Sequence, residues 1–215
     1  MKSDIIRITD DLTGKKAVNS AVDSFIAYNS FSGKNALHIR LLSEELVSMV
    51  HGIMDGFEGD FMLESNKTQE GVLCRICLSA RRAANFIQEE QLLSVSSSGK
   101  NENAKGVLGK IREAFRISVQ YYADERYMDD YAAVNLWYGA GIYSSAGDVN
   151  IETNEYYWSL NNYRESLSSD GSSAKEWDEL EKSIIAKLAD EVKVWLKLDT
   201  TELVIEKLIK NETCK

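Results

Sequence analysis

The chain has 215 residues, of which 44% are hydrophobic and 27% charged, and this composition argues against a disordered protein. Its formal net charge of −9 argues against a nucleic-acid partner or an anionic membrane surface, because both attract clustered Lys and Arg. No apolar run reaches the roughly 20 residues that a membrane span needs, and the N-terminus lacks an apolar signal core. Together with an odd count of three cysteines, these features predict a cytoplasmic protein with no membrane segment.

The first predicted elements are a short strand at residues 5–8 and an amphipathic helix from about 17 to 28. A longer helix is predicted at 33–54. At 100° per residue its apolar side chains fall within an arc of roughly 100°, as expected of a core-facing stripe. They are Ile39, Leu42, Leu46, Met49, Val50 and Ile53. Glu44 points away from this stripe, whereas Glu45 lies at its border, where a carboxylate needs a partner or a function.

A β-hairpin follows this helix, and its second strand alternates apolar and polar residues so that one face is mainly apolar. Its two strands are predicted at 60–66 and 72–80. A weakly helical stretch follows at 81–93, then a polar loop at 94–105 and a helix at 106–124.

The remaining chain begins with a Tyr- and Trp-rich segment at 125–170. Within this segment we predict a helix or loop at 128–137, a loop at 139–148 and a strand at 155–160. A helix at 174–189 and a hairpin at 192–198 and 202–208 follow it. Because helices and strands do not alternate as βαβ units, the sequence predicts an α+β two-layer sandwich. Its sheet is mixed and mostly antiparallel with helices on one face, and residues 1–215 form a single domain with the aromatic segment as an insertion.

The sequence contains one pair of cysteines and one pair of histidines that could be considered as metal ligands, and neither pair has the geometry of a metal site. Cys74 and Cys77 have a C-x-x-C spacing but lie on one strand, where side chains three residues apart point to opposite faces. His38 and His51 lie on different sides of the predicted helix. The sequence therefore predicts no metal at these residues.

The order of elements and two local patterns resemble the histidine-kinase-like ATPase superfamily, also called GHKL or the Bergerat fold, and within it the anti-sigma-factor serine kinases. That family has a helix with an acidic residue followed four positions later by Asn, and the helix leads into a hairpin. The sequence LLSEELVSMV at 41–50 is similar to this helix, with Glu45 at the acidic position. The resemblance implies ATP as a ligand and Glu45 as the general base for attack on the γ-phosphate.

The second pattern is similar to the family's mobile lid and the Gly-rich turn after it. Glycines let backbone amides approach phosphates, and a helix N-terminus adds a favourable dipole. The resemblance implies nucleotide binding by Gly99, Lys100, Lys105, Gly106, Gly109 and Lys110. A plain flexible connection is the other interpretation of this loop.

Two family features are missing. Met49 stands where the family has the Asn that holds Mg²⁺, and a thioether is a poor ligand for this hard cation. Residues 79–85 lack the Asp-x-Gly-x-Gly motif that recognises adenine.

Two hypotheses follow. One is a diverged ATP-binding domain, a regulatory module with weak or absent catalysis. The other is a non-catalytic protein-interaction module that uses the aromatic segment as its contact surface, although an extra core layer is the simpler interpretation of that segment. For Glu45 itself, the alternative to a nucleotide site is an ordinary ion pair with Lys, Arg or His38.

Overall fold

The computed structural model describes residues 1–9, 14–53, 57–82, 147–150, 155–169, 183–196 and 200–211. The elements within these ranges are, in chain order, β1 (Ile6–Thr9), α1 (Lys15–Tyr28), α2 (Gly33–Ile53), β2 (Phe57–Lys67), β3 (Gly71–Arg82), β4 (Gly147–Asn150), β5 (Glu155–Ser159), α3 (Leu160–Ser169), α4 (Ile184–Leu188), β6 (Glu191–Leu196) and β7 (Thr200–Lys210).

These strands form one seven-stranded sheet in the order β1-β2-β3-β7-β6-β5-β4. Every neighbouring pair in it is antiparallel. The pairing of β3 with β7 joins the N-terminal strands to the C-terminal ones, with Gly71 opposite Lys210 and Arg81 opposite Thr200. The α+β sandwich predicted from the sequence is confirmed, and among the described strands its sheet is wholly antiparallel.

Side chains alternate between the two faces of this sheet. On β3, Cys74, Ile76 and Leu78 are buried, whereas Leu73 and Arg75 on the opposite face are partly exposed. We call the face of the sheet that carries Cys74, Ile76 and Leu78 the inner face, and the opposite face the outer face. The inner face and the apolar sides of the helices form one core, whose large buried side chains include Phe25, Ile39, Leu42, Leu46, Phe61, Leu63, Ile76, Leu78 and Trp158.

Helix α2 lies in the middle of the helix layer. Ile39 and Leu42 are fully buried, as the apolar stripe predicts. On one flank Arg40 Nη2 lies 2.8 Å from Asp23 Oδ1 of α1. The helix also contacts α4, β3 and β7. Its opposite flank therefore faces the C-terminal part of the chain.

The structure departs from the predicted elements at several places. The predicted helix at 174–189 is interrupted, because Ser183 is extended (φ −74°, ψ 124°) and its hydroxyl accepts a hydrogen bond from Ala186 N at 3.3 Å to start α4. Asp148 lies in β4 rather than in a loop, and α3 forms where no helix is predicted. The elements predicted within 83–146 and 170–182 lie outside the described residues.

Candidate functional site

The flank of α2 that faces away from α1 carries Glu45 and His38. These residues are seven positions apart, so they lie on the same side of the helix, about 10 Å apart along its axis. Both side chains are partly exposed, and Glu44 is exposed. The border position predicted for Glu45 is therefore confirmed.

Within the part of the chain that the structure describes, the Glu45 carboxylate has no hydrogen bond and no ion pair. The predicted ion pair with Lys, Arg or His38 is therefore not formed there. A partly buried carboxylate is costly unless a partner or water satisfies it, and Glu45 keeps part of its surface exposed to solvent.

Six other residues are predicted to bind nucleotide. Gly99, Lys100, Lys105, Gly106, Gly109 and Lys110 all lie outside the described residues. Met49 lies in α2, at the position predicted from the sequence.

A groove opens on the same flank of α2, towards its N-terminal end. Its volume is about 540 Å³, and it is lined by Asn35, His38, Asp190, Lys207, Leu208 and Lys210. Small-molecule sites typically have volumes of roughly 300–1,000 Å³. The groove is therefore large enough for a nucleotide-sized ligand, and it runs from the first turns of α2 to the end of β7.

The alternation of β7 brings a lysine to this groove. Leu203, Ile205 and Ile209 are buried on the inner face, and Lys207 is in phase with them. A lysine at an inward position would be costly in the middle of the core. Near the end of β7 its side chain lies at the groove and keeps 18% of its surface exposed.

Asp190, in the turn between α4 and β6, holds two of the groove's donors. Its Oδ1 lies 3.0 Å from Lys207 Nζ, and its Oδ2 accepts a hydrogen bond from Leu208 N at 2.6 Å. The backbone of Asp190 is fixed separately, because its N–H donates to Glu206 O at 3.0 Å and its carbonyl accepts from Arg164 at 3.4 Å. The backbone of the groove wall is therefore held at this point by hydrogen bonds on both sides of the peptide chain.

Three other lining residues carry side-chain nitrogens. Asn35, His38 and Lys210 make no side-chain hydrogen bond or ion pair among the described residues. The first turn of α2 contains no acidic residue, so the positive end of its dipole is not neutralised there. The groove therefore combines nitrogen-bearing side chains with a helix N-terminus, which is the chemistry that attracts anions.

The two cysteines of the C-x-x-C spacing lie on opposite faces of β3, as predicted. Burial raises the pKa of the Cys74 thiol to about 12. Burial and the nearby negative charge of Glu64 raise the pKa of Cys77 to about 11. Both thiols are therefore neutral near pH 7, whereas a metal ligand is a thiolate. Nowhere in the described ranges do three His, Cys, Asp or Glu side chains gather as a metal site would require.

Comparisons of the chain with protein-family models, with curated proteins and with solved structures find no match. The likeness to histidine-kinase-like ATPases stays a prediction from residues 41–50 and the Gly-rich loop. None of the described helices has both the length and the apolar character needed to cross a membrane.

The groove is not predictable from the sequence, apart from the flank of α2. Asn35, Asp190, Lys207 and Lys210 come from parts of the chain that only the fold brings together. One sequence signal was present: Lys207 interrupts the apolar phase of β7, between Ile205 and Ile209. A charged residue in the buried phase of a strand indicates a place where the inner face meets solvent.

Proposed function

We propose that this protein binds a phosphate-bearing small molecule of the ATP or ADP class in the groove beside α2. One observation carries the proposal: four of the six lining residues, Asn35, His38, Lys207 and Lys210, bear nitrogen donors, and only Asp190 bears a carboxylate. Charged nitrogen donors bind phosphate oxygens through short, strong hydrogen bonds.

The charge of the whole chain makes this local composition informative. With a formal net charge of −9, the surface as a whole repels anions. A groove lined by two lysines and a histidine, with one carboxylate, therefore differs in charge from the surface as a whole. Its volume of about 540 Å³ also suits a nucleotide better than a single small ion.

Glu45 gives the proposal its relation to the histidine-kinase-like ATPases. It lies two helical turns beyond His38 on the same flank of α2, so a ligand that extends along this flank would approach its carboxylate. A role as general base would need a metal-held γ-phosphate, and Met49 does not supply the hard oxygen that Mg²⁺ prefers. We therefore propose a regulatory nucleotide-binding module with weak or absent turnover, in which the lysines of the groove neutralise the charge of the phosphates.

Calorimetric titration with ATP and ADP, with and without Mg²⁺, tests this proposal. Binding should be seen without Mg²⁺, and Lys210→Gln should weaken it about three- to tenfold, since one charged hydrogen bond is lost. Lys16→Gln removes an exposed lysine of α1 as the matched control and should leave the affinity unchanged. Glu45→Ala should leave it nearly unchanged as well.

The absence of heat and of any shift in melting temperature at millimolar nucleotide would refute the proposal, because a ligand that binds the folded state must raise its stability. An equal loss of affinity in Lys16→Gln and Lys210→Gln would show that only the net charge of the protein matters.

A second candidate function, protein interaction, is favoured by the outer face of the sheet. Leu73, Val204 and Leu208 are partly exposed there, and the rings of Tyr157 and Trp195 lie 5.4 Å apart. Aromatic and aliphatic groups of this kind are common at interfaces. Within the aromatic segment, Trp158 and Tyr163 are buried in the core and cannot form a contact surface.

A pull-down with the Tyr157→Ser/Trp195→Ser variant tests the second candidate. A partner that uses the outer face should be lost from this variant and retained by Tyr28→Ser, which removes an exposed aromatic residue of α1. Recovery of the same proteins by all three forms of the chain would count against an interface on the outer face.

A further inference from the structure

We infer that the Asp190 carboxylate occupies the anion position of the groove and competes with the ligand for it. This inference rests on the proposed function and concerns the regulation of the same site. Asp190 engages Lys207 Nζ at 3.0 Å and Leu208 N at 2.6 Å. A charged amine together with a backbone N–H that does not pair with a neighbouring strand is the donor set that proteins commonly present to a phosphate oxygen.

The ladder of the sheet explains why these donors are available. Pairing of β6 with β7 ends at Glu191, opposite Glu206. Leu208 lies beyond that point, so its N–H receives no partner from β6 and is satisfied by the Asp190 side chain instead. Any anion that enters the groove could satisfy the same N–H and the same lysine.

The carboxylate is not needed to hold its own turn in place. The backbone N–H and carbonyl of Asp190 are bonded to Glu206 and Arg164, and the next N–H towards the N-terminus, that of Ala189, donates to Ile185 O at 2.8 Å. The side chain of Asp190 is 49% exposed. Rotation of this side chain into solvent would therefore free both donors without disturbing the backbone.

The competition has a measurable consequence. Wild-type protein must exchange the Asp190 contacts for those of the ligand, so its apparent affinity is lower than the donors alone would give. Removal of the carboxylate should raise the affinity for phosphate-bearing anions about tenfold. This gain should depend on Lys207, because the lysine is the charged donor that is released.

Titration of pyrophosphate into the full chain tests the inference with four variants. Asp190→Ala should bind about tenfold more tightly than wild type. Asp190→Asn should bind more tightly by a smaller factor, because its amide oxygen still accepts from Leu208 N–H. Asp190→Ala/Lys207→Gln should lose the gain. Asp4→Asn removes an exposed carboxylate that has no partner among the described residues; it is the control for net charge and should change the affinity less than twofold.

The outcomes separate the inference from the proposed function. If wild type binds pyrophosphate and both folded Asp190 variants bind it equally or less tightly, the competition is overturned and the proposed function stands. If no form of the chain binds pyrophosphate or ATP, both are overturned. Loss of the circular dichroism signal in Asp190→Asn as well as in Asp190→Ala would show that the carboxylate is structural, and this too would overturn the competition. Parallel titrations with ATP and inorganic phosphate show whether a nucleotide or the free anion is preferred.

Discussion

Replacing Leu46 with alanine should lower the free energy of unfolding by about 2–5 kcal/mol. Leu46 is 0% exposed and lies on the side of α2 that packs on the inner face of the sheet. The substitution removes the transfer free energy of the lost methyl and methylene groups and leaves a cavity that the surrounding core fills only in part. Urea unfolding followed by circular dichroism measures the change.

Leu37→Ala is the matched control for this prediction, because it makes the same substitution in the same helix at a side chain that is 52% exposed. Its free energy of unfolding should stay within about 0.5 kcal/mol of wild type. Similar losses in both variants would mean that helix propensity, not burial against the sheet, determines the effect.

Replacing Glu206 with glutamine should destabilise the protein by about 1–2 kcal/mol at neutral pH. Glu206 lies on the outer face with 15% of its side chain exposed, and its two oxygens accept hydrogen bonds from Arg75 Nε at 2.9 Å and Lys193 Nζ at 3.1 Å. A glutamine amide keeps only one of these acceptors and carries no charge.

This loss should depend on pH in a defined direction. Burial by itself would raise the pKa of Glu206, but the hydrogen bonds and positive charges of Arg75 and Lys193 outweigh it and hold the pKa below its ordinary value of 4.5. The carboxylate therefore stabilises the folded state at pH values above 4.5, and this contribution disappears as the pH falls through the lower folded pKa.

Urea unfolding of wild type and Glu206→Gln at neutral pH and at successively lower pH values below 4.5 measures this dependence. The difference between the two should shrink in acid. Glu70→Gln, at an exposed glutamate without a side-chain partner in the described residues, serves as the control and should match wild type at every pH. A constant difference for Glu206→Gln across this range would show that the loss arises from packing rather than from the charge.

The elements that the sequence predicted correctly are those with strong periodicity. The three- and four-residue spacing of apolar side chains identified α2, and strict alternation identified β3 and both of its faces. Helix α3 has few apolar residues in the sequence LNNYRESLSS, and it is anchored by the buried side chains of Leu160 and Tyr163, which local periodicity does not reveal. The start of α4 is capped by the hydroxyl of a single serine, Ser183, which lies within the longer helical pattern of the sequence.

The candidate site was less accessible from the sequence than the fold. The border position of Glu45 follows from the helical wheel alone, and so it was predicted. The groove requires that the end of β7 and the Asp190 turn lie beside the start of α2, and no local rule states which distant segments meet. The resemblance to ATPases implies donors at residues 99–110, which lie outside the described residues, and the donors of the groove come from residues 35–38 and 207–210.

The pairing of β3 with β7 sets a constraint on how the protein is made. Arg75 and Glu206, which face each other across this pair, are 131 residues apart along the chain. During synthesis β3 is complete long before its partner strand β7 leaves the ribosome. Until then the backbone N–H and C=O groups on the β7 side of β3 are not paired with β7. Contacts of such long range slow folding, because the entropy of closing the intervening chain is lost before the contacts form. Newly made chains are therefore open to misassociation along β3 until β7 is in place.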